Sequence, residues 1–252
     1  MSQPPRLDGK VAVVTGSTRG IGLAIAQELS KAGAHLIING SSSEEAVSEA
    51  VSQLPGGTEL HMVCKADVRS TAEVSAMARQ VNERFGRCDI LVNNAGYTRF
   101  ISHHKLDDLT DEIFDRTMET NLKGAFLCTR AFAPMLRLHP PGLILNISSI
   151  AATSAVGSSV AYCASKAGLV NMTKSLARAL APDIRVNAVS PCLIDTELTK
   201  EFGQYRESQI QLTPMGRLAT TEDVANCVLA LATSLTFLTG EEINVDGGRL
   251  LN

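Results

Sequence analysis

A chain of 252 residues that is 44% hydrophobic and 19% charged can bury a sizeable core without disulfide staples, and fits one α/β domain over residues 1–252. Its net charge of -3 offers no attraction to nucleic acid or to an anionic membrane. The opening MSQPPRLDGK lacks the apolar core of a secretory signal, and no apolar run approaches the roughly 18 residues of a bilayer span, so a cytoplasmic protein is expected.

The first predicted strand, Lys10 to Thr15, breaks into Gly16-Ser17-Thr18-Arg19-Gly20-Ile21-Gly22, and Leu23 to Lys31 then has helical periodicity. Glycines let a backbone approach a pyrophosphate, and the helix start offers it unpaired N–H groups. The second strand, His35 to Asn39, ends without the acid that would bind adenine ribose hydroxyls and repel a 2′-phosphate. Asn39, Ser41 and Ser42 stand there instead, with Arg19 as a cation, and this suits NADP(H) better than NAD. Ser42 with Glu45 also reads as a capping box for the next helix.

A third strand is predicted over Glu59 to Cys64, followed by Ala66-Asp67-Val68, where Asp67 reads as a helix cap. A helix to Phe85, a strand from Asp89 to Val92 and the segment Asn93-Asn94-Ala95-Gly96 come next. The acids Asp107, Asp108, Asp111 and Glu112 sit where a helix dipole favours them, and Asn121 falls within a long helix reaching about His139, where it can serve as a local hydrogen-bonding residue. His103-His104 reads as loop polarity. The six cysteines are dispersed, with no Cys-x-x-Cys and no His-x-x-x-His, so they are expected to be small buried hydrophobes and no metal site is expected.

A strand within Pro140 to Ser149 leads to the helix Val160 to Leu180. Tyr162 and Lys166 lie four residues apart on it, which puts phenol and ammonium on one helix face. A cation about 4 Å from a phenol favours the phenolate and turns it into an acid–base group. Ser149, thirteen positions earlier at a strand end, can donate to a substrate oxygen. Strand Ile184 to Val189, the polar stretch Thr196 to Thr213, helix Thr221 to Thr233 and a seventh strand from Gly240 complete the chain. The polar stretch reads equally as a substrate lid or a surface helix pair. Alternating strands and helices predict a Rossmann-type doubly wound, seven-stranded parallel sheet with helices on both faces.

Thr15 to Gly22 as T-G-x-x-x-G-x-G, the Asn93–Gly96 segment, Asn121, Ser149 and Tyr162-x-x-x-Lys166, in this order from about Gly9 to Gly248, resemble the classical short-chain dehydrogenase/reductase family. The resemblance includes 3-oxoacyl-(acyl-carrier-protein) reductases. It implies an adenine contact at Asp67 and Val68, a cofactor-facing Asn94-Ala95-Gly96, an active-site Asn121 whose backbone holds a lysine-linked water, and cofactor contacts from Pro191, Ile194 and Thr196. Lys166 would also bind the nicotinamide ribose. The family's usual Pro-Gly after the sixth strand is Pro191-Cys192 here, and cysteine strains that site only if it needs a positive φ.

Together these imply an NADPH-dependent reduction of a small ketone or 3-oxoacyl compound, with Ser149 polarising the oxygen and Tyr162 as acid/base. The acid in Ala181-Pro182-Asp183 disfavours carrier-protein docking and favours a small substrate. Tyr97, Phe100, Leu193, Phe202 and Tyr205 are candidate pocket walls. An NAD-dependent alcohol or hydroxysteroid dehydrogenase and a non-catalytic NADP-binding sensor are the competing readings. The resemblance further implies a homotetramer, or a homodimer.

Overall fold

Unbroken apolar runs mark strands covered on both faces. In the computed structural model, which describes residues 6–41, 43–195 and 203–251, seven runs form one sheet. They are β1 (Val11–Val14), β2 (His35–Gly40), β3 (Met62–Lys65), β4 (Ile90–Asn93), β5 (Gly142–Ile147), β6 (Ile184–Pro191) and β7 (Glu242–Val245). The order is β3-β2-β1-β4-β5-β6-β7, all neighbours parallel. The expected Rossmann-type fold is present.

Ten α-helices accompany the sheet among the described residues: α1 (Gly20–Lys31), α2 (Glu44–Ser52), α3 (Gly57–Leu60), α4 (Thr71–Phe85), α5 (Asp111–Met118), α6 (Gly124–Leu138), α7 (Ala151–Ser154), α8 (Val160–Leu180), α9 (Gly203–Gln211) and α10 (Thr221–Thr233). Because successive strand residues point to opposite faces, β1 sends Ala12 and Val14 to one core and Val11 and Val13 to the other. The first core joins them to Ile25 and Leu29 of α1, Val47 and Val51 of α2, and Val224 and Val228 of α10. The second gathers Met77 and Val81 of α4, Phe132 and Leu136 of α6, and Ala177 of α8. Among the described residues, no helix is long and apolar enough to cross a membrane.

Side-chain caps set the helix starts: the hydroxyls of Ser70, Thr110 and Ser159 accept from Glu73, Ile113 and Tyr162 N–H, and Thr220 with Asp223 forms a reciprocal capping box. Two expected caps move. The α2 cap is Ser43, whose hydroxyl accepts from Ala46 N–H, and the cap ahead of Thr71 is Ser70, not Asp67. The third strand also starts later than expected, since Gly56 and Gly57 at φ 85° and 47° turn the chain into the single turn of α3. The long helix around Asn121 is not continuous either: Glu119–Lys123 is a π-helical turn between α5 and α6, a widening often found at functional sites. All six cysteines are free; five are buried and Cys227 partly so.

Candidate active site

In an open parallel sheet, ligands bind beyond the carboxyl ends of the strands, where the order reverses. Here that point lies between β1 and β4, and a cleft of about 1930 Å³ opens there. It runs from the loops after β1, β2 and β3, past those after β4 and β5, to those after β6 and β7.

The glycine turn forms one end. Thr15 Oγ1 accepts from Asn94 N–H and Ala95 N–H, each at 3.0 Å, and Asn94 Nδ2 donates to Thr15 O and Gly16 O, each at 2.9 Å. Asn94 thus braces the turn. A Cβ on Gly22 would come within 2.4 Å of Asn94 Nδ2 and Gly16 O, whereas one on Gly20, at φ 57°, would meet nothing within 4 Å. The approach is close behind the turn and open in front of it. No side chain caps the α1 start at Arg19, and no acid stands in its first turn, so its N–H groups and dipole are free for an anion. These residues fit a dinucleotide pyrophosphate.

Thr18, Arg19, Gly20, Ile21, Gly22, Ser41, Asp67, Val68, Asn94, Ala95 and Gly96 all line the cleft. Ser17 does not: it is fully buried, donating to Val14 O at 2.6 Å and accepting from Asn39 N–H at 3.0 Å. Asn39 reaches the cleft wall, but its side chain accepts from Gly16 N–H at 3.3 Å and donates to Cys64 O and Ala66 O at 3.1 and 3.0 Å. Its amide therefore ties the ends of β2 and β3 to the glycine turn. Asp67 lines the wall with its carboxylate held by Arg69, the closest contact being 2.6 Å, and this pairing lowers its pKa. Ser42 and Thr196 lie outside the described residues.

Ser149, Tyr162, Lys166, Pro191 and Ile194 line the middle of the same cleft. A hydrogen bond joins Ser149 to the Tyr162 phenol, yet burial outweighs it and pushes the phenol pKa up. Lys166 is 5% exposed, donates to Ile147 O at 2.8 Å, and is brought down to about 8 by burial. Its Nζ lies 5.7 Å from the Tyr162 ring centre. The expected lowering of the phenol pKa by a cation about 4 Å away is therefore absent: the ammonium turns to a carbonyl, and shielding from water disfavours the charged form of each group.

Asn121 sits behind the cleft wall. Its Oδ1 accepts from Tyr97 N–H at 2.7 Å, and its Nδ2 donates to Tyr97 O and Ser165 Oγ, both at 3.0 Å. Ser165 Oγ in turn donates to Tyr162 O at 2.8 Å. The π turn and this amide join the loop after β4 to the tyrosine's own helix turn. Cys192 is not at positive φ, Ala155 being the one such non-glycine among the described residues, so the cysteine narrows the cleft without backbone strain.

Of the candidate walls, Tyr97, Phe100, Leu193 and Tyr205 line the cleft, and Phe202 lies outside the described residues. Sequence reasoning missed Arg116, stacked over the Tyr97 ring at 4.3 Å, and Gln209, Arg249 and Leu250, which close the far end. An arginine directly after Gly247-Gly248 was the available signal for the last group. No cluster of potential metal ligands occurs among the described residues.

Comparison with known proteins agrees with this architecture. A family profile described as enoyl-(acyl carrier protein) reductase matches residues 16–249. The chain is 39% identical over 258 residues to a 3-oxoacyl-(acyl-carrier-protein) reductase of Aquifex aeolicus, covering 96% of this chain and 98% of that protein. It is 37% identical to an NAD-dependent glycerol dehydrogenase of Listeria innocua, covering 95% and 93%. The crystal structure of a gluconate 5-dehydrogenase from Burkholderia cenocepacia, in complex with NADP and tartrate, superposes with a TM-score of 0.90 at 30% identity, covering 98% and 97%. A glycine turn at the switch point, a tyrosine and lysine one helix turn apart in the same cleft, and these likenesses over nearly the whole chain lead to one conclusion: the chain belongs to the short-chain dehydrogenase/reductase family of oxidoreductases.

Proposed function

We propose that the protein is an NADPH-dependent reductase that converts the carbonyl of a small ketone or 3-oxoacyl compound to a secondary alcohol. One observation carries the reading: Ser149, Tyr162 and Lys166 line a cleft whose other end is an uncapped, acid-free helix start. When bound there, the nicotinamide would supply hydride to the carbonyl carbon. Ser149 donates a hydrogen bond to the carbonyl oxygen and orients it, while the Tyr162 phenol donates its proton as charge builds there. Burial keeps that phenol protonated at neutral pH, the state a proton donor needs, which favours the reducing direction. Lys166, still mostly an ammonium below about pH 8, holds the nicotinamide ribose by family likeness. Asn121 is a positioning residue that fixes the Tyr97 loop against α8, and by the same likeness its backbone carries the proton relay.

NADPH is favoured at the end of β2. β2 ends in Gly40, where no acid stands and where a Cβ would press on Thr18 Cγ2 at 2.8 Å. Exposed Arg19 and Ser41 border the corner where a 2′-phosphate would sit, and Arg69 neutralises Asp67. The Burkholderia neighbour holds NADP. The Listeria relative is NAD-dependent, which favours a second reading, an NAD-dependent alcohol dehydrogenase. The sensor reading predicts tight NADPH binding without turnover. Asp183, the acid set against carrier-protein docking, stands 3.9 Å from Arg137.

Assembly into a homotetramer or homodimer belongs to the same proposal. Met118, Leu122, Phe126 and Met172 form an apolar groove between the π-turn region and α8, and β7 is the last strand at one edge of the sheet.

The test is the initial rate of NADPH and NADH oxidation with a panel of ketones, β-ketoesters and an acyl-carrier-protein thioester, beside Tyr162→Phe. NADPH-dependent turnover that falls by about 10²–10⁴-fold in the variant, with NADPH affinity kept within about twofold, is the expected result. Equal turnover by Tyr162→Phe would defeat the assignment, and a preference for NADH with alcohol oxidation would install the second reading.

A further inference from the structure

The cleft has cations at both ends. Arg19, Ser41 and Asp67 lie at the ends of β1, β2 and β3, Ser149 follows β5, and the opposite end is built by the segments after β6 and β7. There Asp246 closes a tight turn, its carboxylate accepting from Gly248 N–H at 3.0 Å and Leu250 N–H at 2.9 Å. Gly247 and Gly248 adopt φ of 59° and 85°. A Cβ on either would press on Thr213 Cγ2 at 2.8 Å or Pro214 Cγ at 3.1 Å, so the turn packs closely on the chain that leaves α9. This packing places Arg249 and Leu250 in the cleft wall with Cys192, Tyr205 and Gln209.

Arg249 is held without a direct ion pair. Its Nε donates to Gln209 Oε1 at 3.3 Å, and among the described residues no carboxylate pairs with it. The nearest acid in sequence, Asp246, is engaged by two backbone N–H groups. Asp246 and Arg249 both lie close enough to Cys192 to act electrostatically on its thiol, and the preceding carbonyl, Pro191 O, accepts from Ile150 N–H at 3.1 Å. Ile150 follows Ser149 directly. The guanidinium and the Ser149–Tyr162 pair therefore border one space from adjoining walls, on the side away from the glycine turn. A dinucleotide whose pyrophosphate rests on α1 has its charge at the other end.

We infer that Arg249 is a substrate-anchoring residue and that the substrate carries a carboxylate a few bonds from the carbon that reacts beside Ser149 and Tyr162. A neutral amide steers Nε and leaves the remaining N–H donors for a planar bidentate acceptor. One guanidinium balances one negative charge, which matches a carboxylate better than a phosphate dianion. Gln209 fixes the fork, and Leu250 and Tyr205 cover the apolar spacer between the two ends of such a substrate.

The inference rests on the oxidoreductase reading, and its test separates the two. The kcat/KM values of 3-oxobutanoate, 4-oxopentanoate and 5-oxohexanoate are compared with those of their methyl esters, and phosphonate analogues are run beside them. For the best chain length, the wild type should prefer the acid over the ester by at least about tenfold. Arg249→Gln should remove that preference and Arg249→Lys restore part of it. Gln209→Glu, which offers the arginine an internal carboxylate, should also abolish it while keeping the cation. A preference for the phosphonate would overturn the carboxylate assignment, and an acid-to-ester ratio unchanged by Arg249→Gln would overturn the anchor while leaving the reductase reading intact. Calorimetric titration of the NADPH-loaded protein with 4-oxopentanoate reads the anchor without turnover. At least about tenfold weaker binding by Arg249→Gln supports it, and equal binding overturns it, even if no ketone is reduced and the reductase reading falls.

Discussion

At the scale of single residues, the site is governed by which polar groups face the cleft and which are used up behind it. Gly22 is the sharpest case, since a methyl there has to displace both Asn94 Nδ2 and Gly16 O, each 2.4 Å away. Gly22→Ala is expected to weaken NADPH binding by about tenfold or more and to lower the melting temperature, read by fluorescence titration and calorimetry. Gly20→Ala instead places its methyl in open space at a positive φ, a backbone cost of about 1 kcal/mol. It should impair binding with little loss of stability. Arg19 makes a complementary point. If it faces a 2′-phosphate, Arg19→Ala should raise KM for NADPH several-fold and leave KM for NADH nearly unchanged; equal changes would move the 2′-phosphate contact elsewhere. Three side chains that look alike in the sequence, Ser17, Asn39 and Asn94, divide because tertiary contacts decide where each points. All three brace the turn, but only Asn39 and Asn94 reach the cleft wall.

At the scale of elements, buried polar side chains lock helices to the sheet. Asn93 of β4 donates to Asn146 Oδ1 of β5 at 2.8 Å and to Thr129 Oγ1 of α6 at 3.2 Å, while Asn146 donates to Thr173 Oγ1 of α8 at 2.8 Å. Asn146→Leu breaks two of these bonds in a fully buried position and should cost about 1–3 kcal/mol in denaturant unfolding. His61, between α3 and β3, ties down the opposite part of the fold. Its Nδ1 accepts from Leu36 N–H at 3.0 Å, so the proton sits on Nε2, facing Pro55 O at 2.8 Å and Ser30 Oγ at 3.1 Å. Burial, against the opposing bond to Pro55, holds its pKa below the ordinary 6.5. The unfolded chain thus takes up a proton at 6.5 that the folded chain refuses until lower pH, and stability rises with pH across that interval. The contribution is complete above pH 6.5 and is lost as pH falls below it. The melting temperature should decline on acidification from pH 7 to 5.5, and His61→Gln should flatten that decline; an unchanged slope would place the acid sensitivity in another group.

At the scale of the whole molecule, the sheet is sealed on both faces by helices, while among the described residues its β7 edge and the groove beside α8 have no covering element. Phe126 is 40% exposed there, more than an aromatic of a monomer's core face would be. Light scattering is expected to show a homotetramer or homodimer, and Phe126→Glu to reduce the assembly by placing a charge in the groove; a wild-type monomer would refute the assembly reading. Much of the fold was legible before any coordinates. The ends of α8 and α10 fall where the sequence placed them, because Ser159 and Thr220 are strong local caps and Pro182 cannot continue a helix. β3 was set too early, since Glu59 and Leu60 fit a strand pattern but follow two glycines whose left-handed backbone starts a helical turn. The π turn at Asn121 was not legible, as it carries bonds from Asn121 to Tyr97 and Ser165, residues distant along the chain.

The succession of strands and helices, the glycine turn and the Tyr162–Lys166 spacing were readable along the chain, because apolar runs, caps and four-residue helical spacing act between near neighbours. Packing between distant segments settles that Ser17 faces inward, that Lys166 turns to Ile147 O while burial raises the Tyr162 pKa, and that Arg249 shares a cleft with Ser149. Those outcomes depend on which distant backbone groups come within hydrogen-bonding reach and how much water they exclude, which spacing along the chain does not record.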